Sequence, residues 1–114
     1  MAEHQGLFNA NDLRDYEVLD QEPFSTTYRG YEVTSTSMPS GAAAFVEMMN
    51  ILQHFDVASL EHNSVEYIDL FSRVQRAIFS DYAQLKSCTI EEGLKRAKFN
   101  ISAERARYWA ERIK

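Results

Sequence analysis

The stretch Tyr28–Asp56, YRGYEVTSTSMPSGAAAFVEMMNILQHFD, decides the fold because its periodicity changes in the middle. From Tyr28 to Thr36 the side chains alternate, with Tyr31, Val33 and Ser35 on one side and Glu32, Thr34 and Thr36 on the other. Period two with β-branched and aromatic residues predicts a strand. Met38-Pro39-Ser40-Gly41 ends it, since Pro39 has no N–H for a ladder and Gly41 tolerates backbone angles that other residues avoid. From Ala42 the spacing becomes helical, placing Phe45, Met48, Met49, Leu52 and Phe55 on one face. A strand that runs through a Pro-Ser-Gly turn into a buried helix is the expected pivot. If Gly41 holds a positive φ or a close backbone approach there, Gly41→Val costs about 1–3 kcal/mol.

Upstream of the pivot, Asn9 or Asn11 can cap a short helical turn over Asp12 to Tyr16, with acidic residues near its positive end. Tyr16 to Leu19 is a brief extended candidate, closed by Asp20-Gln21-Glu22-Pro23, and Ser25-Thr26-Thr27 reads as a turn or strand edge. Two short strands therefore precede the pivot, and such a ribbon needs helices or further sheet to cover it. Downstream, Asn63 or Ser64 can cap a long helix in which Val65, Ile68, Phe71, Val74, Ile78, Tyr82 and Leu85 form one stripe. Tyr67, Leu70 and Phe79 widen that arc and predict burial on more than one side. Thr89-Ile90-Glu91-Glu92 fits a capping box opening a shorter helix to about Lys98, with Gly93 a cost inside it. Ser102 then caps a last helix with a narrow stripe of Ala106, Trp109, Ala110 and Ile113. Its remaining faces, Glu104, Arg105, Arg107, Glu111 and Arg112, suit solvent. The expected class is α+β: a short N-terminal β-ribbon followed by mainly α-helices.

Several short motifs occur in a fixed order: Asp12-Leu13, Tyr16-Glu17-Val18, Glu22-Pro23, Tyr28-Arg29-Gly30-Tyr31, Pro39-Ser40-Gly41, Asn50-Ile51-Leu52 and Phe55-Asp56. This succession resembles the C-terminal part of the large subunit of the gamma-glutamyltranspeptidase family. Weaker pieces, Ala77 to Asp81 and Ser102 to Ile113, extend it over nearly the whole chain. The sequence departs from the family at Ser40-Gly41-Ala42-Ala43, where a Gly-Gly is usual. It departs again after Asp81, where Tyr82-Ala83-Gln84-Leu85-Lys86-Ser87-Cys88 replaces an Arg and a Gly-Asp-Pro loop. The resemblance implies a parent hydrolase with an N-terminal nucleophile and a four-layer αββα sandwich. In such a parent, self-cleavage exposes a Thr that attacks a gamma-glutamyl amide, and its own α-amino group serves as the base. No Thr-Thr-His junction of that kind occurs here. The resemblance therefore implies a scaffold segment, inactive alone, spanning residues 1–114 as a single fragment-like domain whose partner is the Thr-bearing small subunit.

At 114 residues the length fits one domain with a modest core, and 45% hydrophobic with 25% charged residues is ordinary globular composition. A formal charge of −5 argues against nucleic acid as a partner. Apolar runs are short and broken by charge, which predicts neither a signal peptide nor a membrane span. The single Cys88 has no partner for an internal disulfide and is expected to be an unreactive thiol. His4, His54 and His62 are too scattered for a metal signature, and His54 suits the last carbonyls of a helix. Glu66, Asp69 and Arg73 fall at ion-pair spacing on the long helix. Gly41 after Pro39-Ser40 could form an anion nest, although turn-making is the simpler role. No catalytic, cofactor-binding or metal residue is assigned. A non-catalytic helical interaction module is the alternative, and apolar surface on the ribbon and the helix from Ala42 leads us to expect a homo-oligomer.

Overall fold

Strands β1 (Phe24–Tyr28) and β2 (Tyr31–Ser35) pair antiparallel, with Phe24 opposite Ser35, Thr26 opposite Val33 and Tyr28 opposite Tyr31. The structure is a computed structural model that describes residues 6–85 and 89–113. Arg29 and Gly30 form the turn, both with positive φ, at 51° and 86°. Two left-handed residues in succession match the twist of the flanking strands, which is why two-residue hairpins favour them. Of the turn or strand edge expected at Ser25-Thr26-Thr27, the strand is found, within β1. One expectation is corrected, since Tyr16 to Leu19 is not a strand. A hairpin closed at Arg29-Gly30 must pair β2 with the residues immediately before it.

Among the described residues there are five α-helices, and α2 is the one that packs extensively on the ribbon. α1 (Ala10–Arg14) is capped by Asn9 in a reciprocal box with Asp12, and none of its residues is buried. α2 (Ala42–Leu52) is the hub, packing against β1, β2 and the three later helices. α3 (Val65–Tyr82) starts at Ser64, whose hydroxyl accepts the Tyr67 amide at 3.1 Å. α4 (Ile90–Asn100) carries the Thr89/Glu92 capping box, and α5 (Ala103–Ile113) starts where Ser102 accepts the Arg105 amide at 3.1 Å. The architecture is α+β, a two-stranded ribbon followed mostly by helices, as the periodicity implied.

The helix faces differ in detail from the expected ones. On α2 the buried residues are Ala42, Ala43, Val46, Glu47, Asn50, Ile51 and Leu52, so Leu52 is inside as expected, while Phe45 is exposed and Met48 and Met49 are half-buried. Elements pack on opposite sides of α2, so the small residues Ala42 and Ala43 meet Phe24 and Ala97 while Ile51 and Leu52 meet α3 and α5. On α3 burial is confined to Val74, Ala77, Ile78 and Asp81, whereas Val65, Ile68 and Phe79 are exposed. The N-terminal half of α3 meets the core only through the half-buried Leu70 and Phe71. α5 buries Ala106, Ala110 and Ile113 with Trp109 half-buried, the stripe expected from sequence.

Gly41 is also corrected. It is the N-cap of α2 at φ −74°, and a Cβ there would meet nothing within 4 Å. Neither a positive φ nor a close approach is present. Ser40 organises this turn instead, donating to the Ser37 carbonyl at 2.7 Å and accepting the Ala42 amide at 3.2 Å.

Candidate functional site

The most chemically distinctive part of the molecule is a buried ionic cluster between α2, α3 and α5. Asp81, near the end of α3, is 1% exposed, and Glu47, in the middle of α2, is 2% exposed. Arg105, on the first turns of α5, reaches Asp81 with both edges of its fork. Its Nε donates to Oδ2 at 2.7 Å and its Nη2 donates to Oδ1. Trp109 lies one helical turn further along α5 and donates its indole N–H to the same Oδ2 at 2.8 Å. A planar guanidinium meeting a carboxylate with two parallel bonds is the strongest form of this pair and the most orientation-specific. The Arg105 guanidinium is stacked near the Tyr108 and Trp109 rings, at 4.5 and 4.8 Å from their centroids.

These contacts decide which carboxyl carries charge. Burial alone would push Asp81 up, but its hydrogen bonds from Arg105, Trp109 and Glu47 together hold it below the usual carboxylate range. Glu47 moves the other way. Burial, then the neighbouring Asp81 carboxylate, push it up to about 9. A neutral Glu47 donates its O–H to Asp81, and its Oε1 then has no hydrogen-bond partner. The cluster is thus one full ion pair with a protonated carboxylic acid against it. A carboxylic acid beside a carboxylate is a possible proton-transfer pair, but near-complete burial closes both groups to any substrate. Their chemistry here is adhesion between three helices.

A second polar tie lies across α2. Asn50 donates from Nδ2 to the Ile101 carbonyl at 2.6 Å and accepts the Thr26 hydroxyl on Oδ1 at 2.5 Å. One amide thereby joins β1, α2 and the junction of α4 with α5. At the far end of the ribbon, Arg29 donates to the Phe55 carbonyl at 2.6 Å, tying the hairpin turn to the chain leaving α2.

The residues weighed from sequence do not converge. His54 and His62 are exposed, and His62 sits edge-on to Tyr67 with ring centroids 5.6 Å apart. His4 and Cys88 lie outside the described residues. Arg73 pairs with Asp69 at 2.8 Å on the surface of α3, as the spacing implied. Among the described residues, no group of three or more His, Cys, Asp or Glu could hold a metal ion. No helix of the described residues is long and apolar enough to cross a membrane. Sequence reasoning missed Glu47, Asp81 and Arg105, and it placed Arg105 on a solvent face. The available signal was their position, since Asp81 and Arg105 sit within the two weaker motifs, Ala77 to Asp81 and Ser102 to Ile113.

Comparison with known proteins agrees with the motif order. The family model described as gamma-glutamyltranspeptidase matches residues 1–114. An acylase ACY 1 proenzyme from Pseudomonas sp. (strain SE83) is 33% identical over 84 residues, which is 73% of this chain and 15% of that protein. A glutathione hydrolase proenzyme from Escherichia coli (strain K12) is 29% identical over 85 residues, 74% of this chain and 15% of that protein. The chain thus spans about 15% of the length of the curated relatives it matches. The crystal structure of Helicobacter pylori gamma-glutamyltranspeptidase superposes with a TM-score of 0.72 at 22% identity, covering 96% of this chain and 31% of that one. With the ribbon and helices following that protein's fold and the family model matching end to end, the chain belongs to the gamma-glutamyltranspeptidase family.

Proposed function

We propose that this chain is the scaffold segment of a gamma-glutamyltranspeptidase-type enzyme, corresponding to the C-terminal part of the large subunit, and that it carries none of the reacting groups. The observation behind this reading is the closed ionic cluster. Glu47, Asp81 and Arg105 are the strongest chemical groups of the fold, and they join helices rather than face a cavity. In this reading the nucleophilic Thr belongs to a partner segment exposed by self-cleavage, as the proenzyme names of the relatives suggest. The substrate is a gamma-glutamyl amide such as glutathione, whose acyl group passes through the Thr to water or to an amine. The catalytic contribution of residues 6–113 is then positional, keeping that partner's site in register.

A chimera and the isolated chain test this together. Residues of this chain are placed over the matching 85-residue stretch of the Escherichia coli glutathione hydrolase proenzyme. The expected result is self-processing and turnover of a gamma-glutamyl anilide by the chimera, with no turnover by the isolated chain. A soluble, folded chimera that never processes overturns the scaffold assignment and favours a separate helical interaction module. Anilide turnover by the isolated chain that survives repurification and disappears in a point variant overturns the absence of reacting groups.

A further inference from the structure

The groove between α3 and α5 has a chemistry that the scaffold role does not use. It is an open groove of about 490 Å³ whose apolar lining is Ala77, Trp109 and Ile113. Its walls carry Arg73 and Arg76 from α3 and Arg112 from α5. Residues three apart on a helix are surface neighbours, so Arg73 and Arg76 lie together on the α3 side of the groove that Arg112 lines from α5. Asp69 at one end pairs with Arg73. Among the described residues, Arg76 and Arg112 have no carboxylate partner. Arg112 is held in place, with its guanidinium 3.6 Å from the Tyr108 ring centroid and its Nη1 donating to the Tyr108 carbonyl at 3.0 Å.

This concentration of positive charge occurs on a chain whose formal net charge is −5. The overall charge repels polyanions such as nucleic acid, yet a local cleft with low-dielectric walls can still focus positive potential on a small anion. Guanidinium forks match the paired oxygens of phosphates and carboxylates, and two of them facing each other match a ligand with two such groups.

We propose that the α3–α5 groove is a binding site for a small oxyanion carrying at least two negative charges, with Arg76 and Arg112 as its principal ligands. Arg73, shared with Asp69, adds to the potential.

Trp109 is the sole tryptophan of the sequence and lines the groove, so intrinsic fluorescence reports its occupancy. The purified chain is titrated with pyrophosphate and, separately, with citrate, each against sodium chloride at matched ionic strength. These arms distinguish a phosphate from a polycarboxylate ligand. A saturable change in Trp109 emission is expected with at least one of them, weakened at least tenfold in R76Q/R112Q. Arg112 also rests on Tyr108, so the double variant could disturb α5. The exposed single substitution R76Q, checked by circular dichroism, therefore serves as the second variant and is expected to weaken binding at least threefold. Backbone amide shifts measured by NMR on addition of the tighter anion should cluster on α3 from Asp69 and on α5 from Trp109. The proposal is overturned if neither anion gives a saturable change beyond chloride, if folded R76Q binds like the parent, or if the shifts fall elsewhere.

Discussion

Glu47 is the residue whose ionisation the fold resists most strongly, and this makes its stability fall with rising pH. Burial and the adjacent Asp81 lift its pKa from 4.5 to about 9 in the folded chain. Between those two values the folded chain holds a proton that the unfolded chain has released, so stability declines from about pH 4.5 and levels off above about pH 9. Each tenfold change in proton affinity is worth about 1.4 kcal/mol, so the loss is on the order of several kcal/mol. Asp81 acts in the opposite sense. Its pKa is lowered, so its contribution is present above the usual carboxylate range and is lost as pH falls through its folded value. Denaturant midpoints measured from pH 3 to pH 10 should therefore peak in mildly acidic solution. Glu47→Gln, which cannot ionise, should flatten the decline between about pH 4.5 and pH 9, and an equal decline in that variant would assign it to other groups. Asp81→Ala should cost about 3–5 kcal/mol, because it leaves Arg105 and the Trp109 N–H facing a buried gap. The same denaturation experiment reads this loss, and a midpoint within error of the parent would mean that the cluster contributes nothing net.

At the level of elements, the glycine that matters is Gly30 rather than Gly41. Gly30 adopts φ 86° with open space around its Cβ position, so the penalty for a side chain there is backbone strain alone. Gly30→Val should lower stability by about 1–3 kcal/mol, the usual cost of a β-branched residue held at positive φ. Gly41→Ala should stay within about 0.5 kcal/mol, as for surface substitutions away from special geometry. Thermal melts of both variants decide between the two turns, and the opposite ranking would place the strained turn at the pivot after all. The sequence reading recognised the periodicity at Tyr31 but not the two-residue turn before it. Tyr-Arg-Gly-Tyr lacks the Asn-Gly or Asp-Gly that usually marks such a turn, and Arg29 at φ 51° is an uncommon choice there.

The whole molecule is more extended than its length suggests. Its radius of gyration is 18.1 Å, against about 13 Å for a compact domain of this size. Residues 7–22 account for much of this, since Leu7, Leu13, Tyr16, Val18 and Leu19 are all at least 66% exposed. The apolar surface expected on α2 is in part covered, with Leu52 buried and Met48 and Phe55 packed on the core. Open apolar surface remains at Tyr31 and Phe45 and is found also on this N-terminal arm and at Val65, Ile68, Phe79, Ile90 and Phe99. Apolar burial is worth about 25 cal/mol per Å², so a few hundred Å² would outweigh part of the cost of association. The isolated chain is therefore expected to self-associate, and sedimentation across a concentration series tests this. A strict monomer that binds no apolar-sensing dye would show that the arm folds back on its own chain.

Local chemistry alone determined the class of fold and most element boundaries. The caps at Asn9, Ser64, Thr89 and Ser102 are all used, because a cap needs only a side-chain oxygen within three residues of free amides. Motif order likewise carried the family. The tertiary structure alone decided which face of each helix is inside. Phe45 looks like a core residue and Glu47 like a surface one, yet their burial is reversed because α2 is packed from several sides at once. It also decided the charge of Glu47 and the partner of Arg105. Asp81 and Arg105 are 24 residues apart, and their meeting depends on α3 and α5 docking against the same side of α2. No periodicity along one segment records which distant segment will cover it, because burial belongs to the packed set of elements rather than to any one of them.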